Sequence, residues 1–305
     1  MNTLKGIKWL FVLILSMTFL VACSSNESQS SSEEKLKIGF QASGLETEYI
    51  AKLAQAFEDA AEEMNVDLVI MDGNYDLSTN ISQLETLKNQ NVDAIILNAL
   101  DAEALNETVN SIVDSGIPVI GVTASLTAEK LTSYVGSPDV EGGKMAAQEM
   151  VEALNGKGNI VIFEGPIGIS AQIERREGIE SVLKDYPEIK VLDMKTANWS
   201  RAEAMSLMEN WIEKYGDQIE GVIGQNDEMA LGALNALKAK NMNVPVVGID
   251  GIDDAQRAVE NGEMIATIFQ NAEAQAQKAM EVAVKAAKGE EVEKKYDVPF
   301  ELIKK

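Results

Sequence analysis

The sequence predicts an α/β protein of two doubly wound parallel-sheet domains, and three observations carry that prediction. From Leu36 onward, short β-rich runs alternate with amphipathic stretches, the pattern of parallel strands covered by helices. The alternation comes in two series of similar length, which fits two similar domains better than one oversized sheet. Apolar residues make up 46% of the 305 positions, enough to fill two cores.

The first segment stands apart from these domains. Lys5 and Lys8 precede an apolar run over 9–21 that ends in Leu20-Val-Ala-Cys23. A basic start, a short apolar stretch and small residues at its end make 1–22 a secretory signal peptide. The run is too short for a stable membrane span. Cys23, the one cysteine of the chain, stands where a bacterial lipobox places its lipidated residue. The single thiol excludes an internal disulfide and a cysteine-based metal site. Residues 23–35 are mostly Ser, Asn, Gln and Glu and read as a tether. The expected location is the outer face of the cytoplasmic membrane, held there by the lipid alone.

Cleavage before Cys23 would remove two of the 26 basic residues, leaving 24 against 49 acidic ones, a net of −25. Such a surface repels nucleic acid and anionic lipid, so neither is expected as a partner.

Strands of the first series are expected at 36–42, 66–71, 94–98 and 118–122. The intervening 49–64 shows the helical period at Tyr49, Ile50, Leu53, Phe57, Ala60 and Met64. The second series places strands at 159–164, 189–194, 221–225, 244–250 and 265–270. Helices lie between them near 171–185, 200–215, 227–240 and 252–261. A chain crossing near Gly136-Ser137-Pro138 would separate the domains. A last helix over 272–288 and a strand over 298–303 have no domain of their own.

Catalytic chemistry has few supports. The chain has no histidine, which removes Ser-His and Cys-His devices and histidine zinc sites. Gly142-Gly143-Lys144 lacks the earlier glycine and the Ser/Thr of a phosphate loop and reads as a helix start with glycines for close packing. Neither an enzyme nor a cofactor is expected.

What remains is a set of polar and aromatic side chains at strand ends: Asn98, Thr123, Asn226, Asp250 and Gln270, with Trp199 after the 189–194 strand and Tyr49 in the first helical turn. Asp227 reads as the cap of its helix, leaving Asn226 at the carboxyl end of the strand, where open α/β sheets hold ligands. Each taken singly is equally well a turn residue or a cap. Together, at equivalent places in two domains, they suit a small polyhydroxylated ligand, with amides and a carboxylate for hydroxyls and a ring for a C–H face.

The segment Gln225-Asn-Asp-Glu-Met-Ala-Leu-Gly-Ala-Leu234 resembles that of the ribose-binding type of periplasmic sugar-binding proteins. The resemblance covers nearly all of 36–305 through Gly142-Gly-Lys, Glu177-Gly178, Val247-Gly-Ile-Asp-Gly251, Ile265-Ala-Thr-Ile and Lys288-Gly-Glu. It implies two lobes joined by a hinge of three crossings: 36–137 with 271–292, and 138–270 with 293–305. Matched residue by residue, the family's sugar contacts fall on Asn98, Trp199, Asn226, Asp250 and Gln270, and its paired aromatics on Tyr49 and Ile50. Three places depart from the pattern. Thr47 replaces an asparagine, Thr123-Ala124 replaces an Asp-Arg pair, and a second ligand-binding arginine falls on Ile173. These departures imply a neutral or cationic ligand, with a deoxy position fitting the apolar Ile173, and weak binding of ribose, unless Arg175 or Arg176 in the same helical turn swings inward and restores the lost charge. The resemblance further implies a monomer that closes on its ligand and delivers it to an ABC permease. A sensory subunit signalling to a membrane receptor would have the same sequence and stays open as the alternative. A sugar-responsive repressor would need a DNA-binding helix-turn-helix where this chain has its signal peptide.

Overall fold

Parallel strands covered on both faces need continuous apolar runs. The central strands of residues 35–305, the part that this computed structural model describes, have them. The signal peptide expected at 1–22 and the lipidation expected at Cys23 fall outside the described residues. In the first domain, Lys37–Ala42 (β1), Asp67–Asp72 (β2), Ala94–Leu97 (β3), Val119–Val122 (β4) and Ser133–Gly136 (β5) form a parallel sheet in the order β2-β1-β3-β4-β5. Helices Glu48–Glu63 (α1), Leu77–Asn89 (α2) and Asn106–Asp114 (α3) connect them. Of the apolar positions expected along α1, Tyr49, Ile50, Leu53, Phe57 and Ala60 are buried, and Met64 caps its end.

The second domain repeats the plan. Gly158–Glu164 (β6), Ile189–Thr196 (β7), Gly221–Gly224 (β8), Val246–Asp250 (β9) and Ala266–Phe269 (β10) lie in the order β7-β6-β8-β9-β10. Its helices are Asp139–Ala153 (α4), Ser170–Leu183 (α5), Arg201–Tyr215 (α6), Asp227–Ala239 (α7) and Asp253–Glu260 (α8). In both sheets the order turns round between the first and third strands, so β1/β3 and β6/β8 flank a topological switch point.

Helices α4 and α5 touch backbone to backbone. A Cβ on Gly143 would stand 2.1 Å from the Arg175 carbonyl oxygen, and one on Gly178 would stand 2.1 Å from that of Val140. Only glycine permits this approach, and it brings the start of α4 beside Arg175.

The chain crosses between domains three times. The first crossing follows β5, and the second follows β10 and leads to Ala272–Ala287 (α9), which packs against α1. The third falls later than the sequence suggested. Lys295–Asp297 (β11) pairs parallel to β5, and Glu301–Lys304 (β12) pairs antiparallel to β10. Residues 293–297 therefore lie with the first domain; the strand expected at 298–303 is β12 alone, and β11 is a further strand before it, with the crossing between the two. Both β5 and β11 escape sequence reading because they are four and three residues long, too short for a period to show.

The domains meet across the cleft on two rims. On one, Ala102 N donates to Gly168 O (3.1 Å) and Ser125 N to Ser170 Oγ (2.7 Å). On the other, Asp253 N donates to Glu48 Oε1 (3.1 Å) and Lys52 pairs with Asp253. Among the described residues no helix is long and apolar enough to cross a membrane.

Candidate ligand-binding site

The strand ends of the two sheets enclose one cavity. Its volume is ≈ 60 Å³, several times the roughly 10–15 Å³ that a single water needs. Four of its residues hold positive φ although none is glycine: Tyr75 (51°), Thr123 (63°), Trp199 (59°) and Asp250 (127°). Each such residue costs about 1–3 kcal/mol, and they gather where a ligand is clamped.

The first-domain wall is neutral. Ser43 Oγ donates to Asn98 Oδ1 (2.6 Å), and Asn98 Nδ2 donates to Val122 O (3.3 Å). Thr123 Oγ1 donates to Gln275 Oε1 (2.8 Å). Thr47 precedes α1 without a side-chain cap bond. Tyr49 is buried with its hydroxyl unpartnered among the described residues, and burial raises the phenol's pKa far above its ordinary value. Ile50, Ala99 and Ala124 add apolar surface.

The second-domain wall is built around charge. Asn226 sits at the switch point, and its Oδ1 accepts from Met229 N (2.9 Å), making it the cap of α7. Local capping rules assign that role to Asp227. Asp227 instead turns inward and accepts from Gly251 N (2.7 Å), Ile252 N (3.0 Å) and Thr267 Oγ1 (2.7 Å), which fixes the loop that carries Asp250. Trp199 lies across Gly165, where a Cβ would come within 2.1 Å of the indole; glycine there lets the ring lie flat against the strand end. Gln270 Oε1 accepts from Arg175 Nη2 (2.7 Å), while its Nε2 is buried and unpartnered among the described residues.

Arg175 corrects the reading of this wall. Ile173 is 49% exposed and is not among the cavity-lining residues, so the apolar wall expected from it is not there. Arg175, two residues on, is 3% exposed and lines the cavity. Its Nε donates to Asp139 Oδ1 (2.7 Å), and its Nη1 to Gln225 O and to Asp250 Oδ1 (3.4 Å). Burial lowers its pKa, but the Asp139 and Asp250 carboxylates outweigh burial and raise it. Burial pushes Asp139 and Asp250 up, with Arg175 opposing, and pushes Asp227 up to about 6.

The cavity thus brings together Thr47, Tyr49, Asn98, Thr123, Trp199, Asn226, Asp250 and Gln270, without Ile173. Ser43 and Tyr75 are lining residues that sequence reasoning missed, and of the two arginines it left open, Arg175 and Arg176, Arg175 is the one that lines the cavity. For Arg175 a signal existed: Ala171, Arg175, Gly178 and Ile179 are buried in α5 at a helical period, and Ile173 is off it.

Two doubly wound domains closing over a small cavity at their facing strand ends define a hinged ligand-binding module. The chain belongs to the periplasmic binding protein domain family, whose model matches residues 38–291. It is 43% identical to a xylitol-binding protein of Mycolicibacterium smegmatis over 90% of this chain and 78% of that protein. To the ribose import binding protein of Bacillus subtilis it is 31% identical, over 95% of this chain and 96% of that one. Among solved structures, an ABC transporter solute-binding protein of Bacillus halodurans with bound myo-inositol superposes with a TM-score of 0.84. It is 35% identical and the match covers 88% of this chain and 94% of that one.

Proposed function

We propose that this chain is an extracytoplasmic solute-binding protein that closes on a small neutral polyol or sugar and presents it to an ABC importer. The observation that carries the reading is a pair of buried, unpartnered polar atoms on facing walls of the cavity, Tyr49 Oη and Gln270 Nε2. A buried polar group left unpaired costs about 1–3 kcal/mol, and a polyhydroxylated ligand bonds both while Trp199 covers its C–H face. The ligand-binding set is then Thr47, Tyr49, Asn98, Thr123, Trp199, Asn226, Asp250 and Gln270, with Arg175 behind them. The names of the relatives, which bind xylitol, ribose and myo-inositol, support a ligand of this class.

Calorimetric titration with xylitol, myo-inositol, a 6-deoxyhexose and ribose tests it. A polyol should bind at least about tenfold more tightly than ribose, a difference of about 1.4 kcal/mol, because Thr123-Ala124 offers no charged partner. Tightest binding of ribose, or no binding across the panel, refutes the reading. Ligand should also change tryptophan fluorescence through Trp199, since Trp211 is buried in the core against Phe163.

Anchoring at Cys23 belongs to the same proposal, supported by Leu20-Val-Ala-Cys23 and the polar stretch behind it. Two acyl chains hold a protein on a bilayer where one does not. A Cys23→Ser protein that stayed membrane-bound after signal removal would argue against the anchor.

A further inference from the structure

Among the described residues, Arg175 is the one cation on the cavity wall, and it is enclosed by all three interdomain crossings. Asp139 ends the first, Gln270 stands on the second, and Phe300, on the third, has its ring centroid 5.9 Å from the guanidinium carbon. Trp199 lies 5.7 Å from the same carbon.

A guanidinium has five N–H groups. Here Asp139, the Gln225 carbonyl, Asp250 and Gln270 take four of them. A carboxylate ligand is gripped best by two parallel N–H bonds, and one N–H remains. The charge count points the same way, since two buried carboxylates, Asp139 and Asp250, pair with the one cation.

We propose that the Asp139–Arg175 pair is a specificity determinant that excludes anionic ligands. Asp139, placed by the first crossing, neutralises the cavity's guanidinium from the hinge side and occupies its Nε, so the site takes neutral polyols and refuses their carboxylate counterparts. This rests on the polyol reading above. Asp139 touches no cavity surface, so it acts through Arg175 as a positioning residue.

The test compares xylitol with xylonate, the same carbon chain oxidised to a carboxylate at one end, by calorimetry at pH 7. Wild-type protein should bind xylitol at least about a hundredfold more tightly than xylonate. In Asp139→Asn, which keeps the shape and removes the charge, that ratio should narrow at least about tenfold, whereas Asp139→Glu should leave it wide. A merely structural role would weaken both ligands together and leave the ratio where it was, which overturns the proposal while the polyol reading stands. No polyol binding by wild-type protein overturns both.

If Asp139→Asn does not fold, wild-type protein carries the test. The titratable groups facing Arg175 are Asp139, Asp227, Asp250 and the Tyr49 phenol. An added anion is accepted there by protonating a carboxylate. Xylonate binding should therefore take up a proton, seen as a dependence of the heat on buffer ionisation, and xylitol binding should not. Xylonate binding as tight as xylitol binding, without proton uptake, overturns the proposal.

Discussion

The two walls of the cleft differ in kind. The first-domain wall offers hydroxyls, an amide and small apolar side chains, and no charge: Thr47, Tyr49, Asn98 and Thr123 beside Ile50, Ala99 and Ala124. The second-domain wall is organised by a buried guanidinium and the carboxylates around it. Removing a charge from water costs several kcal/mol, and here that cost is met within one domain by bonds that do not cross the cleft. The second domain can therefore hold its polar groups ready, while the first closes over the ligand without bringing another charge out of water. Specificity by charge then belongs to one wall, and closure to both.

Arg175→Met tests this division most severely. It leaves Asp139 and Asp250 buried without their cation, and breaking a buried pair from one side costs about 3–5 kcal/mol. Urea unfolding of the variant should show a loss of that size. A loss below about 1 kcal/mol, as for an exposed pair, would mean that the second wall is not organised by charge.

Two aspartates, one in each domain, should also answer pH with opposite signs. In the second domain, burial raises Asp227 to about 6, above the value of about 3.9 for a free aspartate. Between these values the folded chain binds more protons than the unfolded one. This contribution to stability is therefore present below about pH 4 and falls as pH rises toward about 6, by up to about 3 kcal/mol. In the first domain, exposed Asp76 is lowered to about 2 by Ser78 and Thr79. Its contribution is present above about pH 4 and is lost as pH falls through about 2. Asp227→Asn should flatten the change of the urea midpoint between pH 4 and 6; an unchanged slope would assign it to another group.

How much of this was legible in the sequence depended on where each signal was stored. The central strands announced themselves because strands buried on both faces carry their own apolar runs, as Ile95, Ile96 and Leu97 do. Ser133–Gly136 and Lys295–Asp297 did not, because what makes them strands is pairing with other segments: Ser133–Gly136 with β4 and with Lys295–Asp297, and the latter with Ser133–Gly136. Strand-end residues such as Asn226 and Asp250 were legible since the fold class says where ligands sit. Asp227 was misread by one position: its partners, Gly251 and Thr267, are far along the chain, and local capping rules cannot see them. Ile173 and Arg175 show the limit of resemblance. Two residues apart on a helix, they point about 200° apart at 100° per residue, so an aligned position said nothing about which one faces inward.

Tyr49→Phe sharpens the comparison from the neutral wall. Its hydroxyl has no hydrogen-bond partner among the described residues, so its removal should cost one ligand hydrogen bond, about 0.5–1.5 kcal/mol, or roughly threefold to tenfold in polyol affinity. The ligand-free protein should be as stable as wild type or more so, because a buried unsatisfied group is gone. Lost stability with unchanged affinity would show that the hydroxyl serves the fold and not the ligand.

The smallest effect is expected at the rims, which repeat the contrast outside the cavity. One rim is joined by uncharged bonds such as Ser125 to Ser170, the other by Lys52 and Asp253. The two charged side chains are 41% and 59% exposed, so water and salt screen them, and such pairs contribute about 0.2–1 kcal/mol. Lys52→Ala should thus weaken polyol binding by at most about fivefold at low ionic strength. At 1 M salt, where the screening length is about 3 Å, the variant and wild type should bind alike, whereas Ser170→Ala, which removes an uncharged bond, should keep its deficit at every salt concentration. A Lys52→Ala deficit that persisted undiminished into 1 M salt would mean that the side chain acts by packing across the rim and not through its charge.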